Sequence, residues 1–209
     1  EEKGNIAFGL SVNNLANVRM EQAFTKKHSI TIPKLRECTK YFYSVTSSSL
    51  EIDNKERSFT TLCKSAQNQR IWVIGDSGQS GKNQKKVYKR MQEYIDYDFD
   101  NLDMWVLLGD NAYSSGTQKQ FNKKLFKPFI ELVKRYVPWA VPGNHDMRRW
   151  AFYDVWDFPQ NAESGGVASK HEEFYAVNNG NLHLVMLDSE TVSRRSNGDM
   201  AEWLCRDLA

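Results

Sequence analysis

The strongest constraint on the fold is a unit that recurs in the second part of the chain: a short apolar run of strand length that ends in Gly followed by Asp or Asn. Ile71–Ile74 leads into Gly75-Asp76, Met104–Leu108 into Gly109-Asp110, and residues 139–141, through Pro142, into Gly143-Asn144. Between these runs lie longer segments with apolar residues at helical spacing. The alternation implies strands and helices in turn, and hence a mostly parallel sheet covered on both faces. Val87, Met91, Tyr94 and Ile95 mark the first intervening helix, and Phe121, Leu125, Phe129 and Leu132 the second. Pro128 falls inside the second and should kink or divide it. Leu182–Leu187 is a further candidate buried strand, and Met200, Trp203, Leu204 and Leu208 mark a last amphipathic helix.

Up to about residue 66 the pattern instead has period two with turn-rich punctuation. Residues 28–33 alternate through Ile30 and Ile32, and residues 40–45 through Tyr41, Tyr43 and Val45. Residues 58–62 are a third candidate, reached through the Ser/Thr-rich loop 46–49. These read as short antiparallel strands, so the chain divides into a β domain over residues 1–66 and an α/β domain over residues 67–209. The spacing of Leu35, Thr39 and Tyr41 resembles the tyrosine corner of fibronectin type III-like sandwiches, in which the Tyr hydroxyl bonds to upstream backbone. Glu37 stands where that family usually has Pro. The resemblance implies a partial sandwich of this type.

Composition narrows the partners. With 40% hydrophobic and 12% aromatic residues the chain can bury a core. Its 28 basic and 26 acidic residues leave a net charge of +2, which gives no reason to expect a nucleic-acid or membrane surface. No apolar run approaches the roughly 20 residues of a membrane helix. No leader-like segment precedes the first strands, but residue 1 is Glu, so the chain reads as processed or excerpted and its start says little about compartment. Cys38, Cys63 and Cys205 lack zinc-type spacing and read as buried thiols, with a Cys38–Cys63 disulfide as the alternative. No Asn-x-Ser/Thr sequon occurs, which leans against heavy glycosylation.

Ligands of open α/β sheets collect at the carboxyl ends of the strands, so Asp76, Asp110 and Asn144 can converge despite their separation in sequence. One Gly-Asp pair is an ordinary turn. Three in the same strand context, followed by Tyr113 and His145, point to a site. Crowded carboxylates repel one another unless cations compensate, and one carboxylate can bridge two ions. Asp110, the middle member, is the natural bridge, with Asp76 serving one ion and the Asn144 amide oxygen the other. Two ions about 3.5–4 Å apart can clamp a phosphate and acidify a bound water, which is the chemistry of phosphoester hydrolysis.

The blocks Gly75-Asp76-Ser77-Gly78, Gly109-Asp110-Asn111-Ala112-Tyr113 and Gly143-Asn144-His145-Asp146 resemble the first three signatures of calcineurin-like metallophosphoesterases. There the first block is usually Asp-x-His, but here Gly78 occupies the His position, and Tyr113 looks like the replacement ligand. That exchange resembles the purple acid phosphatases, and a β domain ahead of the catalytic one resembles their plant-type, two-domain form. Residues 187–190 and 203–208 also look familial. The resemblance implies a binuclear centre of Fe(III) with a second divalent metal (Zn, Mn or Fe), held by Asp76, Asp110, Tyr113 and Asn144. Hard phenolate and carboxylate oxygens suit a trivalent ion. It further implies that His145 is catalytic, that the substrate is a small-molecule phosphomonoester, and that the setting is secreted, lysosomal or vacuolar.

Asp146 is expected to orient His145 or its loop, and Asn111 and Ser77 to fix the loops. Lys119, Lys123, Lys124 and Lys127 read as a solvated helix face. The family's later blocks, Val-x-x-His and Gly-His-x-His, are not found in this sequence, and neither His171 nor His183 is expected to touch metal. The four ligands therefore describe half a site, and this chain alone is expected to be inactive. Residues 71–82 also resemble a phosphate-binding loop. From Gly75 to Gly81 there is one residue too many for G-x-x-x-x-G-K, however, and Asn83 stands where Ser or Thr should hold magnesium. A manganese or zinc phosphodiesterase of the same superfamily and a non-catalytic module with a vestigial half-site remain as alternatives.

Overall fold

A computed structural model of the chain describes residues 1–47, 51–52, 57–65 and 68–209, with backbone alone at 51–52. Part of the expected loop 46–49 and the expected boundary at 66–67 lie outside the described residues. The chain forms two compact units, Glu1–Cys63 with Lys134–Tyr136, and Lys64–Val133 with Val137–Ala209.

The first unit is a five-stranded antiparallel sheet of β1 (Asn5–Gly9), β2 (Asn17–Met20), β3 (Lys40–Thr46), β4 (Glu51–Ile52) and β5 (Ser58–Thr60). β3 is central and pairs with β1, β4 and β5, while β2 lies outside β1. Alternation along β3 buries Tyr41, which stacks on Phe59 at 5.6 Å and meets Phe8 edge-on at 6.3 Å. The Tyr41 hydroxyl accepts the Arg36 backbone N–H at 3.0 Å, the bond a tyrosine corner requires. A second sheet, which a sandwich needs, is not formed among the described residues of this unit.

Two expectations for this unit fail. Residues 28–33 form no strand: the Glu21 carboxylate takes the Ser29 N–H at 3.0 Å and meets His28 Nδ1 at 2.6 Å, so a side chain and not a neighbouring strand engages the start of this segment. Cys38 and Cys63 are also not thiols but a disulfide, and the remaining free thiol, Cys205, is exposed, not buried. The β3–β5 ladder explains the pairing. Lys40 faces Thr60, Thr61 N–H reaches the Thr39 carbonyl at 3.1 Å, and Cys38 N–H reaches the Leu62 carbonyl at 3.1 Å, which carries the two strands together as far as the cysteines.

The second unit contains the parallel strands β6 (Ile71–Ile74), β7 (Met104–Leu108) and β8 (Pro138–Val141), in the order β6-β7-β8. Helix α1 (Lys82–Tyr94) connects the first two. The second crossover is divided at Pro128, as its position predicts. It comprises α2 (Gln118–Phe121), a π-helical stretch (Asn122–Phe126) and, beyond the proline, α3 (Ile130–Val133). One face of the sheet carries an aromatic layer. Trp72 stacks on Trp105 at 6.1 Å, and Phe129 meets both edge-on at 5.8 and 5.6 Å. Each fully buried ring contributes roughly 1.5–3 kcal/mol through the surface it removes from water.

The inward face of α1 differs from the expected one. Gln84, Met91 and Ile95 are buried, whereas Val87 and Tyr94 are exposed. The Gln84 amide fixes this rotation by donating to the Ser77 and Lys124 carbonyls, both at 2.6 Å. Cover on both faces also fails locally, because Val73 and Leu108 are exposed. Leu182–Leu187 (β10) does not join the parallel sheet. It pairs antiparallel with β9 (Phe174–Asn179), across a two-residue loop opened by Gly180 at φ 61°. The Tyr175 hydroxyl ties this hairpin to β8, accepting the Ala140 N–H at 3.2 Å and donating to the Ala140 carbonyl at 2.9 Å. After the short α4 (Phe152–Val155), the last helix, α5 (Asp199–Asp207), buries Met200 and Trp203 against Phe174 and Ala176, while Leu208 is exposed. Among the described residues no helix is long and apolar enough to cross a membrane.

Candidate metal centre

Parallel pairing in register brings the ends of β6, β7 and β8 side by side, and the loops that leave them are bonded to one another. Asp76 N–H donates to the Gly109 carbonyl at 3.1 Å, Gly78 N–H to the Asp110 carbonyl at 3.0 Å, and Tyr113 N–H to the Gly78 carbonyl at 3.1 Å. Asp76 and Asp110 both adopt left-handed backbone, at φ 54° and 51°, which turns the two loops in the same sense. Gly78 sits where these loops touch. A Cβ there would lie 2.3 Å from the Asn111 carbonyl carbon, so a histidine cannot occupy this position in this backbone. A Cβ on Gly143 would likewise lie 2.3 Å from Asp110 Oδ1, so the third loop also needs glycine to approach the second.

These constraints gather three oxygens. The Tyr113 hydroxyl lies 2.5 Å from Asp76 Oδ1 and 2.6 Å from Asp110 Oδ2. Hydrogen bonds to Asp110 first and Asp76 second hold the phenol protonated well above the usual tyrosine range. One phenolic proton can serve only one of the two carboxylates at a time, so the trio has an acceptor left over that a cation would satisfy. Buried Ser77 Oγ and Asn111 Oδ1, in the same loops, have no hydrogen-bond partner among the described residues. All these donors are hard oxygens and fit a hard metal ion. Among the described residues no three His, Cys, Asp or Glu side chains gather in a way that could hold a metal, so at this site the two carboxylates need the tyrosine oxygen as a third partner.

Of the other expected residues, His145 touches the trio, Asp146 holds the loops, and no contact joins the Asn144 side chain to the trio among the described residues. His145 N–H donates to Asp110 Oδ1 at 3.0 Å, and its ring lies 4.2 Å from that of Tyr113. His145 Nδ1 is 2.7 Å from the Ser114 carbonyl, which can only accept, so the ring hydrogen sits on Nδ1 and Nε2 is left outward. Asn144 stands exposed in the turn between Gly143 and His145. Asp146 is fully buried and accepts from Asn111 N–H at 3.0 Å, Asn111 Nδ2 at 2.8 Å, Ala112 N–H at 2.8 Å and Gly143 N–H at 3.1 Å. Burial raises its carboxyl pKa against the opposing effect of those donors. It clamps the second and third loops, while the His145 ring is oriented by Ser114. Asn111 fixes the loops as expected, adding a bond to the Val141 carbonyl at 3.2 Å. Ser77 contributes through its carbonyl, which Gln84 holds.

His171, His183 and the lysine cluster make contacts of their own. His171 stacks on Phe174 at 4.9 Å, and His183 bridges Asn178 Oδ1 at 2.5 Å and Asp207 Oδ2 at 2.9 Å. Lys119, Lys123 and Lys127 are exposed, and Lys124 reaches only the Gln79 carbonyl, at 3.5 Å. Sequence reasoning missed three contributors, Gln84, Ser114 and Arg148. Arg148 Nη1 also donates to the Ser114 carbonyl, at 3.0 Å. Its signal was the i, i+3 spacing from His145 in a helical turn.

No curated protein matches the chain. A family model described as calcineurin-like phosphoesterase matches residues 69–206, more than half of the chain. That stretch runs from the start of the parallel sheet into the last helix and contains every loop of the oxygen cluster. The match and the geometry agree: the chain belongs to the calcineurin-like phosphoesterase family, whose chemistry is metal-dependent hydrolysis of phosphoesters.

Proposed function

We propose that this chain carries the aspartate–tyrosine part of a binuclear centre that hydrolyses phosphate monoesters, of the purple acid phosphatase type. Asp76, Asp110, Tyr113 and Asn144 are the metal ligands, with Asp110 as the bridge, and the metals are Fe(III) and a divalent Zn, Mn or Fe. The observation that carries this reading is the Tyr113 hydroxyl lying 2.5 and 2.6 Å from two carboxylates, beside a Gly78 that leaves no room for histidine. When bound, the metals supply a clamp for the phosphate and a water acidified for attack. The chain's own residues prepare the rest. Asp110 holds the His145 backbone, Ser114 fixes the ring through Nδ1, and Nε2 is the atom that, once the ring takes up a second proton, delivers it to the substrate's leaving oxygen.

Residues 67–209 form the phosphoesterase domain in this reading, and residues 1–66 a fibronectin-like one, supported by the Tyr41 bond to Arg36. The Cys38–Cys63 disulfide accords with a secreted, lysosomal or vacuolar setting. The test is a visible spectrum of the protein loaded with Fe(III) and Zn(II), after metal content has been confirmed. Wild type is expected to give a tyrosinate-to-iron charge-transfer band that Tyr113→Phe removes. A band that persists in Tyr113→Phe takes Tyr113 out of the ligand set. Uptake of metal by wild type with no band favours the manganese or zinc phosphodiesterase.

A further inference from the structure

We propose that Arg148 is a phosphate-binding residue of this site and that it sets a preference for doubly charged phosphomonoesters over singly charged diesters. The inference rests on the phosphoesterase reading above and adds a residue to it. Arg148 is exposed, yet its guanidinium is not free to wander. Nη1 donates to the Ser114 carbonyl at 3.0 Å, the same oxygen that receives His145 Nδ1 at 2.7 Å. A shared acceptor thus fixes the cation beside the imidazole. His145 in turn hangs from Asp110 through its backbone N–H, so three hydrogen bonds in series connect the guanidinium to the oxygen cluster.

Nη2 lies 3.4 Å from His145 Nε2, a long contact that engages at most one N–H, so with Nη1 on Ser114 three of the five guanidinium N–H groups are left. No carboxylate forms an ion pair with Arg148 among the described residues. A permanent charge without a counter-ion among the described residues, tied to the carbonyl that holds His145, is suited to an anion. A guanidinium presents five N–H groups in a planar fork that matches two oxygens of one phosphoryl group. A monoester near neutral pH carries close to two charges on that group and a diester one, so the same cation favours the monoester. Arg149 is also exposed, but no bond ties its side chain to the site among the described residues, and it serves as a control of equal charge.

The experiment is calorimetric titration of inorganic phosphate, and separately of dimethyl phosphate, into the Fe(III)- and Zn(II)-loaded chain. Arg148→Gln is expected to weaken inorganic phosphate about tenfold and dimethyl phosphate less than about threefold, with Arg148→Lys intermediate and Arg149→Gln within about twofold of wild type. Because the side chain is exposed, melting temperatures should not move, which separates binding from folding. Arg148→Gln binding phosphate as well as wild type overturns the inference and leaves the phosphoesterase reading standing. Equal losses in Arg148→Gln and Arg149→Gln overturn it too, since they would mean undirected charge attraction. A wild type that takes up no metal, or binds no phosphate once metal is confirmed, overturns both.

Discussion

Asp146 has no place among the oxygens of the site, yet more of the site's backbone depends on it than on any ligand. Its buried carboxylate receives three backbone N–H groups and one side-chain amide from two different loops. Asp146→Ala would leave those donors without an acceptor, and stability should fall by about 3 kcal/mol or more, read by urea denaturation. At this scale Asp76 and Asp110 of the oxygen cluster were legible because Gly-Asp after an apolar run is a pattern of types. Ser114 was not, because it acts through its carbonyl, which every residue has. Arg148 was legible only as one more surface charge, since its value lies in which oxygen it shares.

Among the elements, α1 is held by a polar residue where an apolar one was expected. Gln84→Leu keeps the volume but removes both donors, leaving the Ser77 and Lys124 carbonyls unpaired, and should cost about 1–3 kcal/mol. Val87→Ala, at a half-exposed position, should change stability by less than about 0.5 kcal/mol. Thermal or chemical melts of the two variants give opposite rankings if the apolar stripe, and not Gln84, faces inward. The sequence stripe misled because periodicity counts hydrophobic side chains and is blind to a buried amide that bridges two loops. Strands β6, β7 and β8 and the break at Pro128 were legible for the converse reason, since apolar runs and a missing N–H act locally. Residues 28–33 alternate as a strand would, but alternation cannot reveal that Glu21 waits to take the backbone.

Over the whole molecule, the change of period near residue 66 separated a β part from an α/β part, while the partner of β10 depended on long-range pairing that no local pattern encodes. The disulfide lies within the first unit and spans 25 residues. Cys38→Ser with Cys63→Ser should lower that unit's stability by about 3 kcal/mol, if closing a loop of this length restrains the unfolded chain in the usual way. All the tryptophans belong to the second unit, so tryptophan fluorescence reports that unit alone, while far-UV circular dichroism reports both. The part of the dichroism change that tryptophan does not follow should move to lower denaturant, and an unmoved one would mean that the bridge does not stabilise the unit.

The contact at Gly78 also bears on descent. A lineage that carried histidine two residues after Asp76 could not adopt this loop packing and keep that side chain, because the Asn111 backbone occupies the space its Cβ needs. A descendant of this chain could not regain the histidine without first moving two loops apart. On the proposed ligand set, the switch from imidazole to phenol is therefore inherited together with a backbone arrangement, and reversal would require several coordinated changes and not one.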